Sequence, residues 1–303
     1  VVRWRWWRKQ GGAALLQHLS LPGVPAVDLG AATLARGGGL GHITVMTGRI
    51  AALYRHPVKG FTPEPLETVV LTPGAHFPCD RIYAVEDGPS GFDPEIPAHL
   101  SKMRFTVLAK IPALARARTA YDEATGALRV TAPGRPALVA LLTTGEGRAA
   151  FEAWLADFLA EQAPDDVHGP LKVLSAQGHR FMDSRKGFVS VLNLASVRAL
   201  GQRLGRPVDP RRFRANVLVE GWPAWSEYGH AGQALTLGDV TLTVLSDTVR
   251  CIATHVDPAT GDKDIDMVAE IFTQQGHMCC GVYAEVTGGG RLAVGDLAMA
   301  PAA

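Results

Sequence analysis

Thiols are scarce in this sequence, and the four present are badly spaced for the usual uses of cysteine clusters. Cys79, Cys251, Cys279 and Cys280 form no C-x-x-C pair, so the spacing suits neither a zinc ribbon nor a ferredoxin-type cluster. Adjacent cysteines rarely bridge each other, and four free thiols point to a reducing compartment, the cytoplasm. Net charge is scarce too. The 30 Lys and Arg against 29 Asp and Glu leave +1, which excludes a general nucleic-acid binder of strongly basic balance. A local basic pocket for a small anion stays open. No apolar run approaches the roughly 20 residues that span a bilayer. No G-x-S-x-G, H-E-x-x-H or phosphate-loop motif occurs, and the ten histidines fall at no ligand-like spacing. The run "GGGLG" at residues 37–41 follows no strand and precedes no helix, so it is not a nucleotide-binding loop. Any redox chemistry must therefore draw its electrons from another protein.

What is present is an ordinary globular composition, 47% hydrophobic over 303 residues, long enough for two cores. Residues 1–45, opening "VVRWRWWRKQGG", are rich in Gly, Ala and Pro without lasting periodicity and read as a poorly packed leader. Met46 is the expected true start. Residues 46–160 then read as a first, mostly β domain. "ETVVLTPG", "DRIYAVEDG" and "RFTVLAKI" are short strand-like runs, and "ALARARTAYDEATGALRVTAPG" is a hairpin turning at Glu123 to Gly126. Phe151, Trp154, Leu155, Phe158 and Leu159 recur at i, i+3, i+4, i+7 and i+8, one face of a packing helix.

Residues 161–303 read as a second, mixed domain. Asn193 and Gly205 bracket a helix as cap and stop. "ALTLGDVTLTVLS" is a hairpin around Gly238, "DIDMVAEIFTQQG" a short helix, and "CGVYAEVTGGGRLAVGDLAMA" a closing hairpin turning at Thr287 to Gly290.

The chemistry-bearing residues are dispersed. Lys59 follows Pro57 at a strand exit, Arg81 begins a strand, Arg214 and Asn216 precede one, and Arg250 with Cys251 closes one. Each cation alone is an ordinary solvated strand end. Cys251 alone is a buried plug, a nucleophile or a metal ligand. His56, His255 and His277 read as surface or satisfied core residues.

Together, "LYRHPVKG", "DRIYAV", "NLASVRAL", "RRFRANVLVEGW", "VRCIATHVDPATG", "CGVYAEV" and "GGRLAVGD" occur in an order that resembles MOSC-domain proteins. That family shares the C-terminal domain of molybdenum cofactor sulfurase and includes the mitochondrial amidoxime-reducing components. The resemblance covers about residues 47 to 299. It implies a mainly β fold with helices (α+β): an N-terminal β-barrel-like domain followed by a MOSC β-barrel domain, with a basic cleft between them. It implies the molybdenum cofactor, a molybdopterin with one molybdenum. Cys251 would be the metal ligand and catalytic residue. Lys59, Arg81, Asp183, Ser184, Arg214, Asn216, Arg250 and Tyr283 would bind the cofactor.

The chemistry is consistent. The pterin brings its own dithiolene, so the protein need add only one soft thiolate, and a neighbouring cation favours that thiolate. Strand alternation would send Arg250 and Cys251 to opposite faces, so both reach one group only across a bulge or irregular strand end. Asp257 in "VDPATG" reads as a turn residue bonding its own backbone. The implied activity is a molybdenum-dependent oxidoreductase acting on N-hydroxylated or N-oxide-type small molecules. Its electrons would come from a flavin or iron-sulfur reductase or a cytochrome. Two alternatives stay open. One is a sulfur carrier with a persulfide on Cys251 or Cys280, as in sulfur delivery to a metal–sulfur centre; the sulfurase itself adds a pyridoxal-phosphate desulfurase domain that this sequence is too short to include. The other is a cofactor-storage module without turnover. Four positions depart from the reducers' pattern: Gly60 and Val249 replace serines, and Cys279 and Cys280 stand at apolar positions.

Overall fold

Residues 45–186 and 188–302 are described by a computed structural model. The expected leader and the glycine run at 37–41 lie outside the described residues, apart from Val45, which opens the first strand. The first half runs β1 (Val45–Arg55), β2 (Glu64–Leu66), β3 (Thr68–Leu71), β4 (Ala84–Asp87), β5 (Arg118–Asp122), β6 (Ala127–Thr131) and β7 (Leu138–Leu141), then helix α1 (Gly145–Gln162) and β8 (Leu171–Leu174). The second half runs β9 (Val189–Asn193), α2 (Leu194–Leu204), β10 (Val217–Glu220), β11 (Ala234–Leu237), β12 (Val240–Val249) and α3 (Met267–Gln275). It ends with β13 (Cys279–Gly288), β14 (Gly290–Ala293) and β15 (Leu297–Pro301). The fold is mainly β with three α-helices among the described residues, as expected.

Seven strands close on themselves in the order β10-β9-β13-β12-β11-β15-β1, with β1 pairing back onto β10. Closure leaves no free sheet edge inside the ring. Period-two patterning drives it. In β12, Val240, Leu242 and Val244 point inward while Thr241 and Thr243 do not. They meet Ile50, Leu53, Val217, Val219 and Val282 in one apolar core. β1 thus supplies one barrel strand from the first half, and the other six come from the second. Its fit to β10 depends on Gly48, where an added Cβ would stand 2.3 Å from the Glu220 carbonyl oxygen.

The rest of the first half packs a second core. The meander β5-β6-β7 and α1 bury Leu128, Val130, Phe151, Leu155 and Phe158 against Val58, Phe61 and Tyr83. All three helices read from the sequence form, the last as α3 with Asp266 as its cap, and their ends are sound. Thr144 caps α1, Asn193 caps α2 by accepting from the Ala195 amide, and Gly205 stops α2 in the left-handed region.

Two segments differ from expectation. "RFTVLAKI" is no strand. Residues 105–109 are buried but irregular: the Thr106 amide makes a single bond to the Val85 carbonyl at 2.7 Å, and the Thr106 carbonyl passes close to Gly60. The final segment is no hairpin. β14 leaves β13 and pairs with β3, while β15 returns to β1 and β11. The Gly289 and Gly290 backbones squeeze past Pro73 and Asp239, where a Cβ would lie 2.7 and 2.9 Å from them.

Gly48→Val should destabilise the protein by about 1–3 kcal/mol through overpacking at the β1–β10 seam. Chemical denaturation measures it; unchanged stability would mean that β1 does not close the barrel.

Candidate functional site

A cleft of about 450 Å³ is lined from both halves of the chain, a volume suited to a small-molecule ligand. Eight of the nine residues singled out from the sequence line it: Lys59, Arg81, Asp183, Ser184, Arg214, Arg250, Cys251 and Tyr283. Asn216 does not. It is wholly buried behind the cleft, where its Oδ1 accepts from the Ser190 amide and hydroxyl and its Nδ2 donates to the Tyr54 carbonyl. It ties β9, β10 and β1 together and is a support rather than a contact.

Cys251 reaches the cleft because β12 is irregular. Its register against β13 shifts between Val244 and Ser246 and again between Asp247 and Val249. The strand ends at Val249, so no strand alternation separates Arg250 from Cys251 beyond its irregular end. Cys251 then stands at the head of a 3₁₀ turn over Ile252–His255, with the Thr254 hydroxyl donating to its carbonyl at 2.8 Å. Arg250 is nearly buried. Its Nε and Nη1 donate to the Cys280 and Phe213 carbonyls, both at 2.7 Å, and its Nη2 is buried without a partner. Such an orphaned charged donor is costly unless a ligand takes it.

Two further cations hold strained backbone. Arg81 and Arg214 have φ of 51° and 53°, a left-handed region that costs an L-residue roughly 1–2 kcal/mol. Strain of this kind concentrates at functional sites. Arg81 pairs with the buried Asp80 and donates to the Arg214 carbonyl at 3.1 Å. Arg214 donates to the Phe61 carbonyl and meets no carboxylate within salt-bridge distance among the described residues. Burial, then repulsion from Arg81, pushes its pKa down to about 9. Lys59 is 3% exposed, donates to the Phe181 carbonyl at 2.8 Å and pairs with Asp183. Burial lowers its pKa, and Asp183 opposes that shift. Burial would raise the Asp183 carboxyl, but Lys59 and Lys102 hold it well below the usual range.

Lys102 is the residue sequence reading missed. Its Nζ lies 2.9 Å from Cys251 Sγ and 3.5 Å from Asp183 Oδ2. Nothing in "LSKMRF" marks it, since its partners are 81 and 149 residues away. Gly60, by contrast, explains itself. With φ of +92° and a would-be Cβ 2.5 Å from the Thr106 carbonyl oxygen, the position excludes the serine of the reducers. Val249 is 64% exposed. Cys280 lies outside the cleft, wholly buried with Val197, Leu200 and Met267, and burial pushes its thiol pKa far up. Asp257 behaves as read, its Oδ1 accepting from the Ala259 and Thr260 amides, and its Oδ2 also pairs with Arg212. The three histidines are structural. His56 is core, His255 lies near Asp266, and His277 accepts from the Cys279 amide.

Among the described residues no group of three or more His, Cys, Asp or Glu side chains is arranged to hold a metal ion. A metal held by Cys251 must therefore bring its other donors with it. The cleft fits such a group. It offers one thiol, a buried unpartnered guanidinium N–H and two arginines, Arg214 and Arg250, whose side chains meet only carbonyls among the described residues.

Residues 47–173 match the MOSC N-terminal beta barrel domain and residues 178–298 the MOSC domain. The human mitochondrial amidoxime-reducing component 1 is 31% identical over 129 residues, covering 38% of each chain. A molybdenum cofactor sulfurase of Caenorhabditis elegans is 30% identical over 114 residues, covering 35% of this chain and 16% of that one. The matches thus span well under half of either relative. The bovine mitochondrial amidoxime reducing component 2 is 31% identical over 122 residues, 36% of this chain and 35% of that protein.

Behind Arg81, His56 is fully buried with its Nδ1 3.2 Å from Asp80 Oδ1 and its Nε2 unpartnered. Burial, with Arg81 and Arg214 adding repulsion, lowers its pKa to about 3. An unfolded histidine takes up its proton near pH 6.5, so the unfolded chain binds that proton first as pH falls. The stability involved is intact above about pH 6.5 and is lost as pH drops toward about 3. His56→Gln should flatten the stability–pH curve across that window, by up to about 1.4 kcal/mol per pH unit. Urea titrations at several pH values read it; parallel curves for parent and variant would contradict it.

Proposed function

This chain belongs to the MOSC-domain proteins, and on that premise we propose that it is a molybdenum-cofactor-dependent oxidoreductase with Cys251 as the protein ligand to the metal. The carrying observation is the setting of Cys251. Its thiol lines a cleft with Lys59, Arg81, Lys102, Arg214 and Arg250, and the buried Arg250 Nη2 has no partner. A pterin phosphate carries nearly two negative charges, and guanidinium groups grip it with paired, charge-assisted hydrogen bonds. Arg81, Arg214 and Arg250 would hold that end, with Lys59 fixed through Asp183. Ser184 and Tyr283 would complete the wall. When bound, the cofactor would supply two-electron, oxygen-transfer chemistry, which suits N-hydroxylated or N-oxide-type small molecules. The chain's own residues bind and orient the group, and its apolar floor at Val107, Leu108 and Ala109 keeps water from that side. The electrons would come from a separate reductase or cytochrome, since the sequence carries no dinucleotide fingerprint or cluster spacing.

The sulfur-carrier reading is narrower than the sequence left it. Cys280 is wholly buried outside the cleft, which leaves Cys251 as the better-placed persulfide site. Metal analysis separates the two readings. We expect one molybdenum per chain in the parent, in Cys280→Ala and in Cys251→Ser, with an altered molybdenum resonance signal and lost dye-driven reductase activity in Cys251→Ser alone. The cofactor-free Cys251→Ser protein should melt close to the parent, because its half-buried site leaves the hydroxyl hydrated. Cyanide-labile sulfur without metal would favour the carrier, and a fully active Cys251→Ser would end the ligand assignment.

A further inference from the structure

We propose that Lys102 is a positioning residue for the Cys251 sulfur, donating an N–H···S hydrogen bond that fixes the thiolate and tunes the metal it holds. This rests on the reading of Cys251 as the ligand. Three observations carry it. First, Lys102 Nζ, at 2.9 Å, is the only hydrogen-bond donor to the sulfur among the described residues. Arg250, the sequence neighbour, spends two of its donors on carbonyls instead.

Second, Lys102 is itself held. Asp183 sits between two lysines, pairing with Lys59 through Oδ1 and approaching Lys102 through Oδ2. Lys59 is anchored in turn by the Phe181 carbonyl. The backbones carrying Lys102 and Asp183 are pinned together by Phe105 against Phe181, with ring centroids 5.4 Å apart. The chain Lys59–Asp183–Lys102–Cys251 thus runs from the buried wall to the sulfur, so a change at one member reaches the next.

Third, Lys102 comes from the first half of the chain and Cys251 from the second, so the bond forms only when the two halves pack. The sulfur's environment is thereby coupled to the assembly of the cleft. A hydrogen bond to a ligating thiolate draws electron density from the sulfur, makes it a weaker donor and favours the reduced metal. Asp183 then acts through Lys102 in addition to any contact of its own.

Lys102→Met keeps the length of the side chain and removes the donor, while Lys102→Arg keeps a donor. In cofactor-free protein, Cys251 should hold one side-chain rotamer in the parent and in Lys102→Arg. In Lys102→Met it should populate more than one, read by crystallography or by the Cys251 ¹³Cβ signal. In metal-loaded protein, the midpoint of the molybdenum resonance signal should move to more negative potential in Lys102→Met and stay near the parent in Lys102→Arg, at parental molybdenum content. A single rotamer in Lys102→Met, or an unchanged midpoint at full loading, overturns the proposal. A parent without molybdenum overturns the ligand reading and the tuning role, while the rotamer comparison still decides whether Lys102 positions the sulfur.

Discussion

Positive charge gathered without enough negative charge to match it is the constraint on which the rest of this structure depends. Lys59, Arg81, Lys102, Arg214 and Arg250 all line one cleft. Asp80 and Asp183 answer part of that charge, but Arg214 and Arg250 give their hydrogens to backbone carbonyls. Two of these cations also sit in left-handed backbone. Buried charge and strained backbone each oppose folding. A cleft with this surplus of positive charge suits an anion, which would offset the unmatched charge on binding.

The architecture serves that arrangement. β1 is a strand of the closed barrel, and the loop that follows it carries Lys59 into the cleft beside the end of β12. Because the barrel is closed by a strand from the first half, the two sets of cleft residues are held by shared hydrogen-bonded ladders rather than by a flexible hinge. The irregular end of β12 completes the site by turning both Arg250 and Cys251 toward the same space. The buried irregular segment 105–109 forms the floor, and Gly60 lets it approach.

Local structure was largely legible in the sequence, and long-range pairing was not. The α1 face, the Asn193 cap, the Gly205 stop and the turn at Glu123 to Gly126 are each set by neighbouring residues, so pattern reading finds them. The path of β14 to β3 and the closure of the barrel by β1 depend on partners more than 150 residues away, which no local signal encodes. "RFTVLAKI" misled because an apolar, branched run fits a buried loop as well as a strand. The site was legible mainly through resemblance. The same residues taken singly were ordinary strand ends, and a cluster exists only once the barrel brings them together. Lys102, which meets the sulfur directly, had neither a motif nor a periodicity to mark it. Asn216 was found by its place beside Arg214, yet its amide is spent wholly on holding strands.

X-ray absorption at the molybdenum edge of the purified protein tests the central claim most directly, because it counts the sulfurs around the metal without reference to turnover. The account predicts one sulfur more than the dithiolene alone supplies, and the loss of that one in Cys251→Ser. A sulfur count that is the same in both proteins, or a purified chain with no molybdenum at its edge, would contradict it.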